Sequence, residues 1–459
     1  MALESRFYRQ KGRVTMDENE LMGSMKVSKA VAKMAIPSVI SSLVTVVYNM
    51  ADTFFVGQTG DPLQVAAVSQ TNPIFILFMA FANMFGMGGS AAASMALGEK
   101  KEKRVKQVSS FITYASLIVG IVFAVILLVG MQPVLQLFGA DADTYELAKG
   151  YTTYISYGAP FIIWSAAASF VVRSDGASRE AMTGSMIGTV ANIILDPIFI
   201  SGFGMGAAGA AIATTIGNIM ASVYYLWYFC RKSRNMSMAF RYFKCGDRIL
   251  SQVCSAGLPT AIFSALMSIS TIILNQILVA YGNAPVAAIG IVFKANMFIT
   301  FLQMGLANGV QPLLGYNYGS GDHKRFVSVE RYTKKCCVIV GILATALFFV
   351  LREPIIRLFI SDGEVVYYGV KMLIAYMLSG PVIGLLFVNM NCMQSVGNSF
   401  PATILSVMRQ GLLLIPLLYL LNACMGLNGV IYGQAFTDYA AVILSAVLWR
   451  RIRRRIERR

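Results

Sequence analysis

The sequence predicts an all-α membrane protein, with twelve transmembrane helices in two six-helix lobes related by an internal parallel repeat. Three observations carry that reading. Apolar runs long enough to cross a bilayer recur along the chain, basic residues collect in alternate loops, and the second half repeats the first.

The apolar runs come first. Of 459 residues, 56% are hydrophobic and 13% charged, whereas soluble domains carry about 25% charged residues. A hydrocarbon core about 30 Å thick takes about 20 apolar residues per helix. Runs of that kind fall at 32–56, 64–97, 108–131, 147–172, 180–201, 207–230, 250–280, 287–316, 333–350, 366–393, 401–421 and 428–449. A polar segment, 1–31, precedes them; it is expected to lie at the interface or to be partly disordered, and it does not have the pattern of a cleavable signal. The six-helix lobes are expected at 32–230 and 250–449, with a cytoplasmic linker at 231–249 and a basic cytoplasmic tail at 450–459.

The charge distribution comes second. A net charge of +16 would suit a nucleic-acid binder, but the basic residues sit in blocks between apolar runs. Lys100, Lys101, Lys103, Arg104 and Lys106 follow the second run, and Arg173 and Arg179 follow the fourth. Arg231, Lys232, Arg234, Arg241, Lys244 and Arg248 follow the sixth, and Lys324, Arg325, Arg331, Lys334 and Lys335 the eighth. Seven arginines lie in 450–459, while the intervening loops are short and nearly free of basic residues apart from Arg352 and Arg357. Basic loops stay on the cytoplasmic side. The expectation is a multi-pass plasma-membrane protein with both termini cytoplasmic, lipid contacts and no nucleic-acid partner. The seven cysteines show neither metal-ligand nor disulfide spacing, and His323, the single histidine, lies in a polar loop.

The repeat comes third. Pro133-Val134-Leu135-Gln136-Leu137-Phe138 recurs as Pro354-Ile355-Ile356-Arg357-Leu358-Phe359, an offset of 221 that also relates Pro160 to Pro381 and Ser174-Asp175-Gly176 to Ser395-Val396-Gly397. Ile36-Pro37 pairs with Leu258-Pro259 at 222, and Met205-Gly206 with Met425-Gly426 at 220. Six helices per unit leave both copies in one orientation. A parallel repeat in a transporter places a substrate path between its halves.

Bond-breaking chemistry has little support. There is no G-x-x-x-x-G-K-[ST], no H-E-x-x-H and no triad to build on one histidine. What stands out instead is charge inside the apolar runs, where an ionisable group costs several kcal/mol unless neutralised or used. Tyr48 and Asp52 are four residues apart, as are Asn192 and Asp196, so each pair shares a helix face. Thr214 adds a hydroxyl in the sixth run. Two carboxylates, an amide, a hydroxyl and a phenol form an oxygen-rich set suited to a proton or to sodium, with packing as the plainer alternative for Asp52 and Asp196. Asp52, Asn192 and Asp196 map onto Leu274, Leu413 and Leu417, so the set belongs to the first lobe alone. The second lobe carries Lys294, Arg409 and Asp438, read either as an ion pair of Asp438 with one of the two bases or as a gating or substrate group. Pro37 is a candidate bend in the first helix, fixed or moving.

Tyr48…Asp52-Thr53-Phe54-Phe55-Val56-Gly57, Asn192-Ile193-Ile194-Leu195-Asp196-Pro197-Ile198-Phe199 and Gly206-Ala207-Ala208-Gly209-Ala210-Ala211-Ile212-Ala213-Thr214 resemble the multidrug and toxic compound extrusion (MATE) family, in its MepA-like bacterial branch. The resemblance covers the chain from about residue 30 onward and implies a V of two lobes. It also implies efflux of cationic or amphipathic compounds by proton- or sodium-coupled antiport with alternating access. It assigns the coupling cation to Tyr48, Asp52, Asn192, Asp196 and Thr214, and helix bending to Pro37. It implies no cofactor, no metal beyond sodium at Asp52 and Asp196, small-molecule drugs or toxic organic cations as partners, and a monomer. The drug-binding residues stay unassigned. One departure is the absence of Asp and Glu from 250–280 and 366–393, where other members carry acids. Two alternatives stay open: a lipid-linked oligosaccharide flippase of the same superfamily, which needs a strongly cationic cavity, and an uncoupled channel or receptor.

The charge pattern generates a topology prediction. A reporter enzyme that works only in the cytoplasm should be active when fused after Arg459 and silent when inserted after Gly139. The opposite pattern overturns the assigned orientation.

Overall fold

The computed structural model describes residues 20–59, 61–246 and 248–457. The first lobe consists of α1 (Val27–Gly57), α2 (Pro62–Gly98), α3 (Glu102–Val129), a short α4 (Met131–Leu137), α5 (Tyr145–Ser174), α6 (Ser178–Pro197) and α7 (Gly206–Trp227). The second consists of α8 (Ile249–Val279), α9 (Asn283–Gly319), α10 (His323–Val350), a short α11 (Arg352–Arg357), α12 (Gly363–Met377), α13 (Gly380–Ser395), α14 (Phe400–Val407), α15 (Leu414–Met425) and α16 (Leu427–Glu457). Wider π turns extend α6 over Ile198–Gly202 and α7 over Tyr228–Lys232, and another joins α14 to α15 over Met408–Leu412. Among the described residues eleven helices are long and apolar enough to span a membrane, twelve when α12 and α13, bent by 47°, count as one span.

Local chemistry explains the boundaries. Asp61 accepts the Leu63 N–H at 2.9 Å and caps α2, and Asp322 does the same for Arg325 at the start of α10. The repeat is visible in such details. Asp141 accepts the Thr144 N–H ahead of α5, and Asp362 accepts the Val365 N–H at the start of α12, both at 2.9 Å. Pro381 falls in the first turn of α13, just past the bend, whereas Pro160 at the same register is carried inside an unbroken α5.

The lobes meet where helix backbones touch. A Cβ on Gly98 would collide with the carbonyl of Tyr316, and one on Gly319 with the carbonyl of Met95. At the 221 offset these are one contact seen twice, since Gly98 corresponds to Gly319 and Met95 to Tyr316. About three turns further in, Gly88 presses on Val253 and Gly257 of α8, and Gly309, its repeat partner, on Met34 and Ala35 of α1. Glycine is required here because any side chain would hold the helices apart. The seam lies at the end of the molecule that carries the basic loops. At the opposite end a Cβ added at Gly57, Gly282 or Gly290 would meet nothing within 4 Å.

The leading turns of α1 and α8 cross between lobes. Ala30, Val31, Met34 and Ala35 are buried with Val310, Leu313, Phe326 and Trp449 in a second-lobe core. Ile249 and Val253 are buried with Val105, Val108, Phe111 and Val171 in a first-lobe core. Each lobe therefore contains the head of the other's first helix, and a border between residues 31 and 32 does not describe the packing.

Three of the expected segments outside the spans make contacts with the lobes. Residues 1–19 lie outside the described residues, but the rest of the predicted interfacial segment is docked. Leu21 and Met22 are buried, and the Met22 carbonyl accepts from Asn317 Nδ2 at 3.2 Å and from Arg325 Nε at 3.3 Å. Residues 450–457 form no separate tail but continue α16. Glu330, 1% exposed, holds them through Trp449 Nε1 at 2.7 Å and Arg453 at 3.4 Å, with Lys334 at 2.5 Å completing its shell. The linker is pinned to the first lobe. Asp175, 1% exposed, accepts from Tyr228 at 2.9 Å, Ser233 at 2.6 Å and Asn235 at 2.9 Å, and Tyr114 donates to the Met238 carbonyl.

The seam generates a stability prediction. Gly88→Ala should cost about 1–3 kcal/mol through overpacking and lower the unfolding temperature in detergent. Gly290→Ala, which enters open space on a helix, should leave it unchanged or slightly higher. Equal behaviour of the two variants removes the close-contact argument.

Candidate functional site

The first-lobe site forms where α1, α5, α6 and α7 converge. Tyr48 and Asp52 share one face of α1, and the Tyr48 hydroxyl meets Thr214 Oγ1 of α7 at 3.4 Å. On α6, Asn192 and Asp196 are 3% and 0% exposed, and Thr214 is 4% exposed. The Asn192 carboxamide is satisfied when its nitrogen donates to Asp196 Oδ2 at 3.0 Å and its oxygen accepts from Thr214 Oγ1 at 3.2 Å and Thr214 N at 3.0 Å. One amide thus ties α6 to α7 and orients the carboxylate between them.

Local backbone chemistry sets up this corner. Pro197 has no N–H for the carbonyl one turn earlier, and the helix widens into a π turn immediately after Asp196. Gly188 of α6 and Gly217 of α7 touch backbone to backbone one turn away, which brings the two helices close enough for the Asn192–Thr214 contact.

The electrostatics are those of an uncompensated acidic pair. Asp52 stands one turn beyond Tyr48 on α1 and Asp196 one turn beyond Asn192 on α6, and the contacts of Thr214 with Tyr48 and Asn192 hold those two turns side by side. Among the described residues no Lys or Arg pairs with either carboxylate. Two carboxylates in a low-dielectric interior repel unless a proton or cation sits with them. The donors present are oxygens and one amide, a hard set matched to a proton or an alkali cation. No group of three His, Cys, Asp or Glu residues that could bind a transition metal occurs among the described residues.

All five residues singled out in the first lobe therefore come together. Tyr151 of α5 is an addition. It is 9% exposed and is buried in one cluster with Val56 of α1 and Ala210 and Ala211 of α7, but it shares no helix with the acids. Only the packing of α5 into the bundle reveals it. Pro37 lies inside α1, two residues beyond Ala35, the last α1 residue buried in the second-lobe core. It thus stands between the anchored head of α1 and the acid-bearing half.

In the second lobe, Arg409 lies on the π turn between α14 and α15, and its Nε donates to Asp438 Oδ1 of α16 at 2.8 Å. Gln434 Nε2 donates to the same oxygen at 2.9 Å. The guanidinium carbon also lies 5.2 Å from the ring centre of Phe263 on α8 and 5.6 Å from that of Phe387 on α13. Lys294 is not part of this cluster. It is part-exposed on α9, between the buried Val292 and Ala295.

Comparison with known proteins agrees with this architecture. The MatE family model matches twice, at residues 37–198 and 259–420, once in each half. The multidrug export protein MepA of Staphylococcus saprophyticus is 32% identical over 422 residues, 92% of this chain and 93% of that protein. MepA of Staphylococcus aureus is 30% identical over the same shares. A crystal structure of MATE in complex with MaD3S has the same fold, with a TM-score of 0.91 and 23% identity over 96% of this chain and 99% of that one. The outward-facing conformation of a multidrug resistance MATE family transporter has a TM-score of 0.88 and 23% identity, covering 96% and 98%. A double match of one family model, whole-length relatives and a twofold-repeated helical architecture lead to one conclusion: the chain belongs to the multidrug and toxic compound extrusion family, MatE.

Proposed function

We propose that this protein exports cationic or amphipathic compounds across the plasma membrane by alternating access, in exchange for protons or sodium bound at Asp52 and Asp196. The observation that carries the proposal is a pair of carboxylates on two helices, inside an apolar bundle, with no basic partner. The MepA proteins, multidrug exporters by name, support the substrate class.

The geometry supplies a coupling route. The head of α1 is fixed in the second lobe, while its other half presents Tyr48 and Asp52 to Asn192, Asp196 and Thr214. A cation shared by Asp52 and Asp196 draws that half of α1 toward α6 and α7. Pro37 is the place where the helix yields, because its turn lacks one backbone hydrogen bond. Cation and drug then favour opposite arrangements of the lobes, and each expels the other. With the basic loops and both termini in the cytoplasm, the close glycine contacts lie on the cytoplasmic side, which supports a drug path released to the outside. A flippase carrying a pyrophosphate-linked lipid would need several free cations at depth, and the second lobe's Arg409 is already paired with Asp438.

Two measurements follow. In proteoliposomes, Asp52→Asn and Asp196→Asn should each reduce gradient-driven dye export by about tenfold or more, the scale of a typical coupling free energy. Export at the wild-type level by either variant ends that residue's coupling role. Imposing pH and sodium gradients separately on the wild type should drive export with one and not the other. Export indifferent to both makes the protein an uncoupled carrier.

A further inference from the structure

A cavity of about 350 Å³ lies at the foot of the seam, where α2, the start of α3 and the head of α8 meet. Ala92, Met95 and Ala96 of α2 make its apolar side, and both alanines are buried. Glu99, Lys101, Arg104 and Gln252 make its polar side. Glu99 is paired with Lys101 at 2.8 Å, and Arg104 Nη2 donates to Gln252 Oε1 of α8 at 3.1 Å. Two bases and one acid leave the lining with one surplus positive charge.

The repeat shows how the other lobe uses this place. At the 221 offset Ala92, Ala96 and Arg104 correspond to Leu313, Asn317 and Arg325. There the chain's own segment ahead of α1 fills the space. Met22 is buried in one core with Leu313, and its carbonyl accepts from both Asn317 and Arg325. The segment ahead of α8 takes another course. The carbonyls of Ser237, Met238 and Ala239 accept from Ser109, Tyr114 and Ser110, further along α3. Among the described residues no linker residue lines the cavity. An arginine that holds an acceptor oxygen of the chain in one lobe thus borders open space in the other.

Depth and charge select what fits. The apolar run of α3 is 108–131, enough to cross a hydrocarbon core about 30 Å thick. Arg104, one turn before that run, lies at headgroup level. One surplus positive charge matches a phosphodiester, which carries one negative charge, better than a phosphomonoester, which carries up to two. The apolar side suits the glycerol and the first carbons of the acyl chains.

We propose that this cavity binds the phosphodiester headgroup of an anionic phospholipid, with Lys101 and Arg104 on the phosphate oxygens and Gln252 Nε2 as a further donor. The bound lipid ties α2 and α3 to the head of α8, beside the contact of Gly88 with Val253 and Gly257, and so supports the seam.

The purified full-length protein is titrated in a neutral detergent with dihexanoyl phosphatidylglycerol, and the rise in unfolding temperature gives the apparent affinity. Dihexanoyl phosphatidylcholine, whose headgroup has no net charge, is the comparison. Wild type should bind the phosphatidylglycerol about fivefold or more tightly, the scale of one basic residue at an anionic surface. Lys101→Gln and Arg104→Gln should each remove most of that preference. Lys101 is exposed, so the first variant keeps the fold even if the second does not. Arg450→Gln combined with Arg451→Gln removes two exposed charges outside the cavity and should leave the preference intact. A wild type without the preference overturns the proposal. So does an equal loss in the cavity variants and the Arg450/Arg451 variant, which is the behaviour of diffuse surface charge. Inorganic phosphate that stabilises at the same concentrations as the phosphatidylglycerol also overturns it, since the ligand is then a free phosphate. The proposal does not depend on the export reading, which stands whatever the outcome.

Discussion

Helix α1 belongs to two bodies at once, and the rest of the structure depends on that. Its first two turns are packed into the second-lobe core, while its last three turns carry Tyr48 and Asp52 into the first-lobe site. In the proposed coupling, a helix fixed at one end and charged at the other would turn a local event, a cation joining two carboxylates, into a force between lobes. Helix α8 repeats the arrangement without the charge. Its head lies in the first-lobe core, and Pro259 follows at the same place as Pro37. Both helices lose a backbone hydrogen bond just beyond the turns buried in the foreign lobe's core, although α1 stays close to α9 at Ser38, Val39 and Ser42.

The two halves show how one scaffold diverges while its contacts persist. The seam is kept in register, with Gly98 and Gly319 making the same contact from opposite sides. The interiors have separated chemically. Where the first lobe has Asp52 and Asp196, the second has Leu274 and Leu417; where the second has Arg409, the first has Gly188. Packing constraints shared by both lobes account for the first kind of position. These charged positions occur in one lobe only, so the shared scaffold does not require them.

Much of this was legible in the chain. Twelve spans follow from apolar run lengths, and the helices end close to the expected residues because Asp, Gly and Pro mark the turns. Asp52 and Asp196 stood out because a carboxylate in an apolar run is improbable unless used. Partnerships across helices were harder to read. Tyr151 has no periodic relation to the acids, and nothing in Arg409 or Lys294 distinguishes the base that pairs with Asp438 from the one that does not. The arginine-rich end reads as a loose tail because charge dominates its composition. Trp449 and Ile456, buried on one side of α16, show that a single apolar stripe and one acid, Glu330, suffice to dock it. The exchange of helix heads left no signal in hydropathy, since Ala30–Ala35 and Ile249–Val253 are apolar whichever lobe receives them.

That exchange also explains why so short a linker joins the halves. The end of the first half, at Tyr228–Lys232, and the start of α8 rest on the same lobe. The connecting residues run over one surface and never bridge the gap between lobes. Two separate six-helix chains that traded their leading helices would have this arrangement, with the tail of one lying beside the head of the other. The architecture is that of a swapped dimer made continuous, and its covalent joint falls where the two chains would already have been neighbours.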